Sequence, residues 1–322
     1  MSKTIKLTTI SDATWRMQRN TLTRINRVRG ALLGLAVGDA IGTTVEFKPK
    51  GSFTPLTDII GGGPFRLQPG QWTDDTSMAL CLAASLVEHG FDLHDQMQRY
   101  MLWHDEGYMS SNGKCFDIGI ATSSALERFR CTANPSAGSN SPSSAGNGSI
   151  MRLAPVPLYY LDTPEQAIQM SEAQSKTTHQ APECLVACRL LAEALIRALE
   201  GRAKDEVLAP MQPTLPMSTA LKAIADGHYK SKSENQIEGS GYVVKSLEAA
   251  FWCFWQTESF NDCVLLAANL GDDADTTAAV AGQLAGAFYG ESGIPAQWLQ
   301  KLTMAKEIGE LAEQLMLLIP KI

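Results

Sequence analysis

The chain has 322 residues, 44% of them hydrophobic and 19% charged, which is enough to bury one large core or two smaller ones. Its formal net charge of −7 argues against a nonspecific nucleic-acid binder, because such binding needs clusters of Lys and Arg that this sequence does not show. We expect part of the acidic excess to consist of metal ligands.

The seven cysteines are scattered, form no C-x-x-C pair and often lie in apolar runs. We therefore expect free thiols and a reducing, cytoplasmic location. The N-terminal segment has no uninterrupted apolar stretch, and later apolar runs are broken by Gly, Asp or Glu before they reach membrane length. Neither a signal peptide nor a membrane-spanning helix is expected.

The N-terminal segment, residues 1–29, is the most basic part of the chain. It begins polar and then places Leu22, Ile25 and Val28 at helical spacing among several arginines. This pattern predicts an amphipathic helix. Such a helix either docks on the core as a solvated element or serves as a partner-binding arm.

Residues 30–47 predict a second helix, with a glycine at every fourth position. Each glycine costs about 1 kcal/mol relative to alanine in a helix, so close packing must offset the loss. Asp39 and Glu46 are acids in this otherwise apolar stretch. A lone buried acid is unfavourable unless it is paired or bound to a cation, which makes both of them candidate functional residues.

The Gly- and Pro-rich residues 48–71 predict a loop, which leads into the sequence WTDDTSMAL. Here Thr73–Thr76 precede an apolar helix that we expect to run to about Glu88 and to end at Gly90. For such a cluster alone, capping of the helix N-terminus is the simplest interpretation. Capping needs only one residue, however, and this cluster has four.

Residues 92–130 predict two helices, with Asp117 at the start of the second, where a cap is again the simplest interpretation. Residues 131–149 are low in complexity and form either a surface loop or a flexible lid. The loop ends in Gly146–Ser149, directly before the segment IMRLAPVPL, which we expect to be helical. The backbone amides would then point out of a helix N-terminus, where anions bind.

Residues 164–200 predict two helices with His179 between them, as a cap, a core residue or a site residue. Residues 201–240 are polar and suggest an insertion around one short helix. Further helices are expected at 242–256, 260–269, 275–290 and 296–318. The periodicity is almost wholly 3.6 residues, so the predicted fold is all-α, a single domain packed around glycine-faced central helices.

The segment 269–290 repeats the arrangement of acids and threonines. It reads NLGDDADTTAAVAGQLAGAFYG, with carboxylates and hydroxyls at a helix start and glycines at every fourth position behind them. If the two helix starts lie side by side, up to four carboxylates come together and need cations. Only oxygen ligands are present, which favours a pair of Mg²⁺ or Mn²⁺ ions over zinc.

Seven motifs occur in the order of a known family: GALLGLAVGDAIGTTVEF, WTDDTSMAL, CFDIGIATSSAL, GNGSIMRLAPVPL, KTTHQAPE, GYVVKSLEAAFWC and NLGDDADTTAAVAG. Over about residues 29–290 the chain closely resembles the ADP-ribosylglycohydrolases, above all the bacterial branch of the dinitrogenase-reductase-activating glycohydrolase. The resemblance implies an all-α fold with a binuclear Mg²⁺ or Mn²⁺ centre. It also implies removal of ADP-ribose from modified arginine side chains of a protein substrate.

The resemblance assigns roles to individual residues. It implies acid/base catalysis by Asp117, and a ligand- or water-positioning role for Glu46 beside the metals. It also implies that Gly146–Ser149 and Met151 hold the diphosphate and ribose, and that His179 and Tyr242 line the ADP-ribose cleft. The implied metal ligands are Thr73, Asp74, Asp75, Asp273, Asp275 and Thr276, with Asp75 also counted among the catalytic residues. Within the substrate loop the individual residues are Gly146, Asn147, Gly148 and Ser149.

Residues 1–28 precede the point where the family's glycine helix usually starts, so we divide the chain into an extension, 1–28, and an ADP-ribosylglycohydrolase domain, 29–322. The extension resembles that of immunity members of the family, which protect bacteria from ADP-ribosyltransferase toxins by hydrolysis and by an N-terminal arm. Three alternatives stay open. They are a hydrolase of O-linked ADP-ribose on serine or in polymers, a toxin-binding protein without turnover, and a dimetal phosphohydrolase, which is disfavoured because no His adjoins either cluster.

Overall fold

The computed structural model describes residues 12–318, with side chains from residue 23 onward. This part of the chain forms α-helices joined by loops and short 3-10 turns, without a β-strand, which confirms the predicted all-α fold. The helices are α1 Asp12–Gly42, α2 Asp74–His89, α3 Leu93–Glu106, α4 Ile120–Thr132, α5 Pro155–Tyr159, α6 Pro164–Ser175, α7 Pro182–Leu199, α8 Lys204–Val207, α9 Thr219–Ala225, α10 Val243–Gln256, α11 Phe260–Ala268, α12 Ala274–Tyr289, α13 Ala296–Lys301 and α14 Ala305–Leu317.

The prediction for residues 1–47 is wrong in one respect. The two helices expected there are one continuous helix, α1. Its described arginines bind other parts of the folded domain. Arg24 pairs with Asp162 at 2.7 Å, and the Arg27 guanidinium donates to the Phe288 carbonyl oxygen at 2.6 Å. This end of the basic segment therefore docks on the domain. The predicted partner-binding arm mostly concerns residues ahead of these arginines, and residues 1–11 lie outside the described chain.

Helices α1 and α12 form the centre of the fold as an antiparallel pair in backbone contact. A Cβ atom built on Gly34 would lie 2.3 Å from the Gly282 carbonyl oxygen, and one on Gly38 would lie 2.1 Å from the Ala278 carbonyl oxygen. The same holds at Gly30, whose built Cβ would lie 2.3 Å from a carbonyl oxygen of α12. The glycine faces predicted on both helices thus pack against each other, and no larger side chain fits between them.

Helix α1 also explains why an apolar stretch of membrane-spanning length occurs in this chain. Thr23–Val45 has the length and mean hydropathy of a span, but 94% of its most apolar window is buried inside the protein. Burial of this kind is typical of the central helix of a globular core.

Other boundaries differ from the prediction for local reasons. The expected helix 296–318 is divided into α13 and α14 because Met304 adopts a left-handed backbone with φ of 58°. The polar insertion 201–240 contains two short helices, α8 and α9, instead of one. The helix expected directly after Ser149 starts only at Pro155, after a turn.

Candidate metal centre and adjoining cavity

The N-termini of α2 and α12 meet, and with them the two acidic clusters. The Thr73 hydroxyl donates to Asp275 Oδ2 at 3.3 Å, and the Thr276 hydroxyl donates to Asp75 Oδ2 at 3.2 Å. The partners in these two contacts are 202 and 201 residues apart in sequence. All four side chains are buried. The clusters that look like separate helix caps in the sequence therefore form one group of oxygens.

Asp39 on α1 holds the start of α2 in place. One carboxylate oxygen accepts from the backbone N–H and the hydroxyl of Thr73, at 2.8 and 2.9 Å, and the other accepts from the N–H and hydroxyl of Thr76, at 3.0 and 2.6 Å. Gly42, nearly one turn further along α1, contacts the backbone of Asp275. Helix α1 is therefore the common support of both clusters. Burial raises the pKa of Asp39 to about 6, although these hydrogen bonds lower it.

A cavity of about 460 Å³ opens directly onto this group. Carboxylate oxygens of Glu46, Asp117 and Asp275 lie within 4.8 Å of one another on its wall. Asp117 does not cap α4, whose N-cap is Gly119, and its backbone is left-handed with φ of 58°. Such a conformation is uncommon outside glycine and clusters at functional sites. The other acids and hydroxyl-bearing residues on the wall are Asp74, Thr122, Asp273 and Thr276.

The carboxylates of the cavity oppose one another's ionisation. Burial, followed by the charge of Asp117, raises the pKa of Glu46 to about 10. Burial, followed by Asp275, raises the pKa of Asp117 to about 9. Burial and neighbouring carboxylates likewise place the pKa values of Asp75 and Asp275 well above the ordinary range. A group of this kind must take up either protons or cations.

The residues present fit a hard divalent cation. The donors are carboxylate and hydroxyl oxygens, the ligands that Mg²⁺ and Mn²⁺ prefer. Glu46 Oε2 and Asp75 Oδ1 are buried and have no hydrogen-bond partner among the described residues. Unsatisfied buried acceptors are rare in native proteins because each costs about 1–3 kcal/mol. A cation would satisfy both oxygens, and the acidic cluster therefore could bind metal.

The loop Gly146–Ser149 forms another part of the cavity wall, but not as a helix N-terminus. The Asn147 backbone N–H donates to the Gly241 carbonyl oxygen at 3.1 Å, and its side-chain amide donates to Asp273 Oδ2 at 2.5 Å. The loop is therefore fixed between Gly241 and the acidic group. The predicted helical anion site is wrong, because residues 147–152 form a turn and α5 begins later.

A buried arginine that the sequence analysis missed supports this loop from behind. The Arg152 guanidinium donates to the Gly148 carbonyl oxygen at 2.7 Å and to the Thr178 hydroxyl at 2.8 Å. The Thr178 hydroxyl lies 2.8 Å from His179 Nδ1, on the cavity wall. The only signal in the sequence is a cation within the otherwise apolar run IMRLAPVPL. Burial, followed by the charge of Arg152, lowers the pKa of His179 to about 3, so this imidazole is neutral.

The predicted substrate residues lie in three places: the first cavity, a second cavity beside it and the core. Asn147, Met151 and His179 line the first cavity, together with the two glycines of the loop. Tyr242 lines a second cavity of about 860 Å³, which shares Gly146 and Gly241 with the first. Ser149 reaches neither cavity. It is fully buried with its hydroxyl oxygen 3.4 Å from the Cys188 sulfur, because the turn directs it into the core.

The chain is similar to proteins of known family over almost its whole length. The model of the ADP-ribosylglycohydrolase family matches residues 20–321. A protein named ADP-ribosylarginine hydrolase Tri1 from Pseudomonas putida (strain GB-1) is 49% identical over 293 residues, 90% of this chain and 78% of the relative. The protein of that name from Serratia proteamaculans (strain 568) is 45% identical over 298 residues, 92% of this chain and 81% of the relative.

A more distant relative and a solved structure are also named as glycohydrolases or related proteins. The ADP-ribosyl-(dinitrogen reductase) glycohydrolase of Rhodospirillum rubrum is 34% identical over 287 residues, 88% of this chain and 92% of the relative. A chain of a solved structure described as an ADP-ribosylglycohydrolase-related protein complex superimposes with a TM-score of 0.81 at 44% identity. That match covers 92% of this chain and 98% of the other. The range of the family match includes most of α1 and all of α2 and α12, and with them the acidic cavity.

Proposed function

This chain belongs to the ADP-ribosylglycohydrolase family, and from that premise we propose that it hydrolyses the bond between ADP-ribose and the arginine side chain of a modified protein. The relatives that are 45% and 49% identical are both named for this activity. The observation that supports the proposal in this chain is the convergence of Glu46, Asp117 and Asp275 on one cavity wall beside the α2 and α12 N-termini.

The proposed cofactor is a pair of Mg²⁺ or Mn²⁺ ions. Asp75 and Asp275 belong to different helices, and each contacts a threonine hydroxyl of the other cluster, so oxygens of both clusters can serve the same ions. When bound, the cations would coordinate the vicinal hydroxyls of the ribose and stabilise the charge that develops as the glycosidic bond breaks. The proposed ligands are Thr73, Asp74, Asp75, Asp273, Asp275 and Thr276.

The chain's own side chains supply the proton transfers. Hydrolysis breaks the bond between the anomeric carbon and a guanidine nitrogen, adds hydroxide from water to the carbon and adds a proton to the nitrogen. Asp117 is the proposed acid, because its buried position favours the protonated carboxyl. Glu46, on the same wall, orients the attacking water. The proton that this water loses restores the protonated carboxyl of Asp117, so the step is balanced in protons.

The loop residues bind the remainder of the substrate in this proposal. Asn147 is held by Gly241 and Asp273, so its position relative to the acids is fixed before substrate arrives. The neutral imidazole of His179 packs against Gly148, where a built Cβ would lie 2.6 Å from the ring. Glycine at this position leaves the space that the imidazole ring occupies, which holds His179 on the cavity wall. The second cavity, with Tyr242, extends the cleft toward the adenosine end.

A substitution series tests the metal-dependent reaction. ADP-ribosyl-arginine is incubated with the protein, with and without Mg²⁺ or Mn²⁺, and free ADP-ribose is measured. We expect Asp75→Asn and Asp273→Asn to abolish release while the helical circular dichroism stays near that of the unsubstituted protein. Asp272→Asn is the matched control, because Asp272 is exposed and its left-handed backbone is tolerated by Asn. Persistent turnover after EDTA treatment would refute the metal dependence.

Parallel substrates separate the alternatives. Serine-linked ADP-ribose peptide is assayed beside the arginine-linked substrate, and faster release from serine would favour the O-linked hydrolase. Complete absence of release from either substrate, with metals bound, would favour a binding protein without turnover.

Protection against an ADP-ribosyltransferase toxin, with residues 1–28 as a toxin-binding arm, is the proposed biological role. Its support is the basic composition of this segment and its resemblance to immunity members. Deletion of residues 1–22 would remove most of the arm and leave the docked arginines in place. Toxin binding and hydrolysis are then measured separately, and unchanged toxin affinity would contradict the role of the arm. A reducing cytoplasm is the proposed location, consistent with free cysteines throughout the described chain.

A further inference from the structure

The mouth of the first cavity carries a row of aromatic side chains, the phenylalanine rim, formed by Phe47, Phe65 and Phe116. The ring centroids of Phe47 and Phe65 are 6.5 Å apart, and those of Phe65 and Phe116 are 5.2 Å apart. Phe47 is 66% exposed and lines the cavity directly, and Phe116 precedes Asp117 on the cavity wall. Phe47 thus joins the rim to the proposed active site, whereas Phe65 and Phe116 do not line the cavity.

The backbone of this rim is held in unfavourable conformations. Phe47 has φ of 62° and Arg66, next to Phe65, has φ of 55°. A left-handed backbone is uncommon for bulky residues and persists where the surrounding structure enforces it, as at ligand-binding surfaces. At Phe47 the enforcing contacts are visible. Its N–H donates to the Asp272 carbonyl oxygen at 2.7 Å, which ties the rim to the loop that carries Asp273.

The rim is also bordered by unpaired cations. Lys48, Arg66 and Lys114 are exposed, and each is within two residues of a rim phenylalanine. None of the three side chains forms an ion pair or hydrogen bond with the described residues. In a chain with a net charge of −7, three free cations therefore lie beside the rim, while the acids Glu238 and Asp272 lie beside Phe47. Such a surface attracts acidic partners.

We propose that the rim docks the segment of the substrate protein that carries the modified arginine, and that it favours segments with apolar and acidic residues beside that arginine. This inference rests on the proposed function. ADP-ribose must enter the cavity for Asp117 to reach the glycosidic bond, so the attached polypeptide remains at the mouth, where it meets the rim. Rings then cover apolar side chains of the segment, and the cations pair with its carboxylates.

Peptide and small-molecule substrates distinguish docking from catalysis. Two arginine-ADP-ribosylated peptides are compared, one with Glu and Leu beside the arginine and one with Ser and Gly, together with ADP-ribosyl-arginine itself. The double variant Arg66→Glu with Lys114→Glu reverses rim charge, and Phe65→Ser removes the middle ring. Lys222→Glu with Lys306→Glu makes the same change in net charge at exposed positions of α9 and α14.

We expect the rim charge variant to raise KM for the acidic peptide about 3- to 10-fold, because each exposed ion pair contributes about 0.2–1 kcal/mol and reversal adds repulsion. Phe65→Ser should raise KM of the same peptide without changing kcat. Neither variant should alter hydrolysis of ADP-ribosyl-arginine, and the control variant should alter nothing. The charge effect should shrink between about 50 mM and about 500 mM salt, as the Debye length falls.

Equal KM values for both peptides, in the unsubstituted protein and in the variants, would overturn the docking proposal. A parallel loss on ADP-ribosyl-arginine would overturn it as well, because the rim would then act on the ADP-ribose itself. If Phe65→Ser changes the sedimentation mass and leaves all KM values unchanged, the rim joins two copies of this chain instead. Failure of the unsubstituted protein to hydrolyse ADP-ribosyl-arginine would instead refute the proposed function.

Discussion

Replacement of single glycines in the contact between α1 and α12 tests how the core positions the metal centre. Gly30→Ala and Gly42→Ala form a matched pair, because in each case the new Cβ would lie 2.3 Å from a carbonyl oxygen of α12. At a rise of about 1.5 Å per residue the two positions are about 18 Å apart along α1. At Gly42 the new atom would also lie 2.5 Å from the Asp275 Cα. At Gly30 it meets backbone near Gly290.

Two effects oppose each other in both variants. Alanine improves helix propensity by about 1 kcal/mol, less at a helix end such as Gly42. Overpacking costs about 1–3 kcal/mol or more, and here the obstacle is rigid backbone, which has no side-chain rotamer to change. We expect overpacking to prevail, with a net loss of about 1–2 kcal/mol and a Tm lower by about 1.5–3 °C. Denaturant unfolding and thermal melting measure this change.

The metal centre should respond in only one of the two variants. Displacement of α12 at Gly42 moves Asp275 relative to the α2 cluster, so we expect Mn²⁺ affinity to fall about 10-fold or more, as for other changes in the support of a metal ligand. Gly30→Ala should leave Mn²⁺ affinity within about 2-fold, since its new contact lies about 18 Å along α1 from the one that meets Asp275. Calorimetric titration measures both. A Gly42→Ala protein at least as stable as the unsubstituted one, or equal metal losses in both variants, would refute this reasoning.

Two more predictions concern buried polar groups. Asp39→Asn replaces a carboxylate oxygen that accepts two hydrogen bonds with an amide group that donates them. We expect the protein to fold and its Mn²⁺ affinity, measured by calorimetry, to fall about 10- to 100-fold. Unchanged affinity would show that Asp39 does not position the α2 cluster. His179 has a pKa lowered to about 3 in the folded protein, whereas the unfolded chain takes up a proton near pH 6.5, so stability is lost as pH falls below that value. We expect this group to lower the free energy of unfolding by about 2 kcal/mol between pH 7 and pH 5. Denaturant unfolding at both pH values should show this loss in the unsubstituted protein but not in His179→Gln. An equal pH dependence of the unfolding free energy in the two proteins would contradict the burial argument.

The sequence was most informative where a pattern has one physical meaning. Glycine at every fourth position, on two separate apolar helices, requires close backbone contact to offset its loss of propensity, and the structure shows that contact. Periodicity of 3.6 residues likewise predicted the all-α fold. Boundaries were less predictable. The break at Met304 and the turn before Pro155 follow from tertiary contacts, which override the local helical pattern.

At the acidic site, too, the sequence determined some features and only the tertiary structure determined others. The sequence by itself determined which residues could bind hard cations, because only carboxylates and hydroxyls were available in the two clusters. It did not determine that Asp39 on α1 holds one cluster while Gly42 supports the other, nor that Arg152 supports the loop of Asn147 from behind. The relations of Asp39 and Gly42 join residues that are far apart along the chain. Only the packing of α1 against α12 and α2 brings them within hydrogen-bond distance, and composition and periodicity contain no information about such distances.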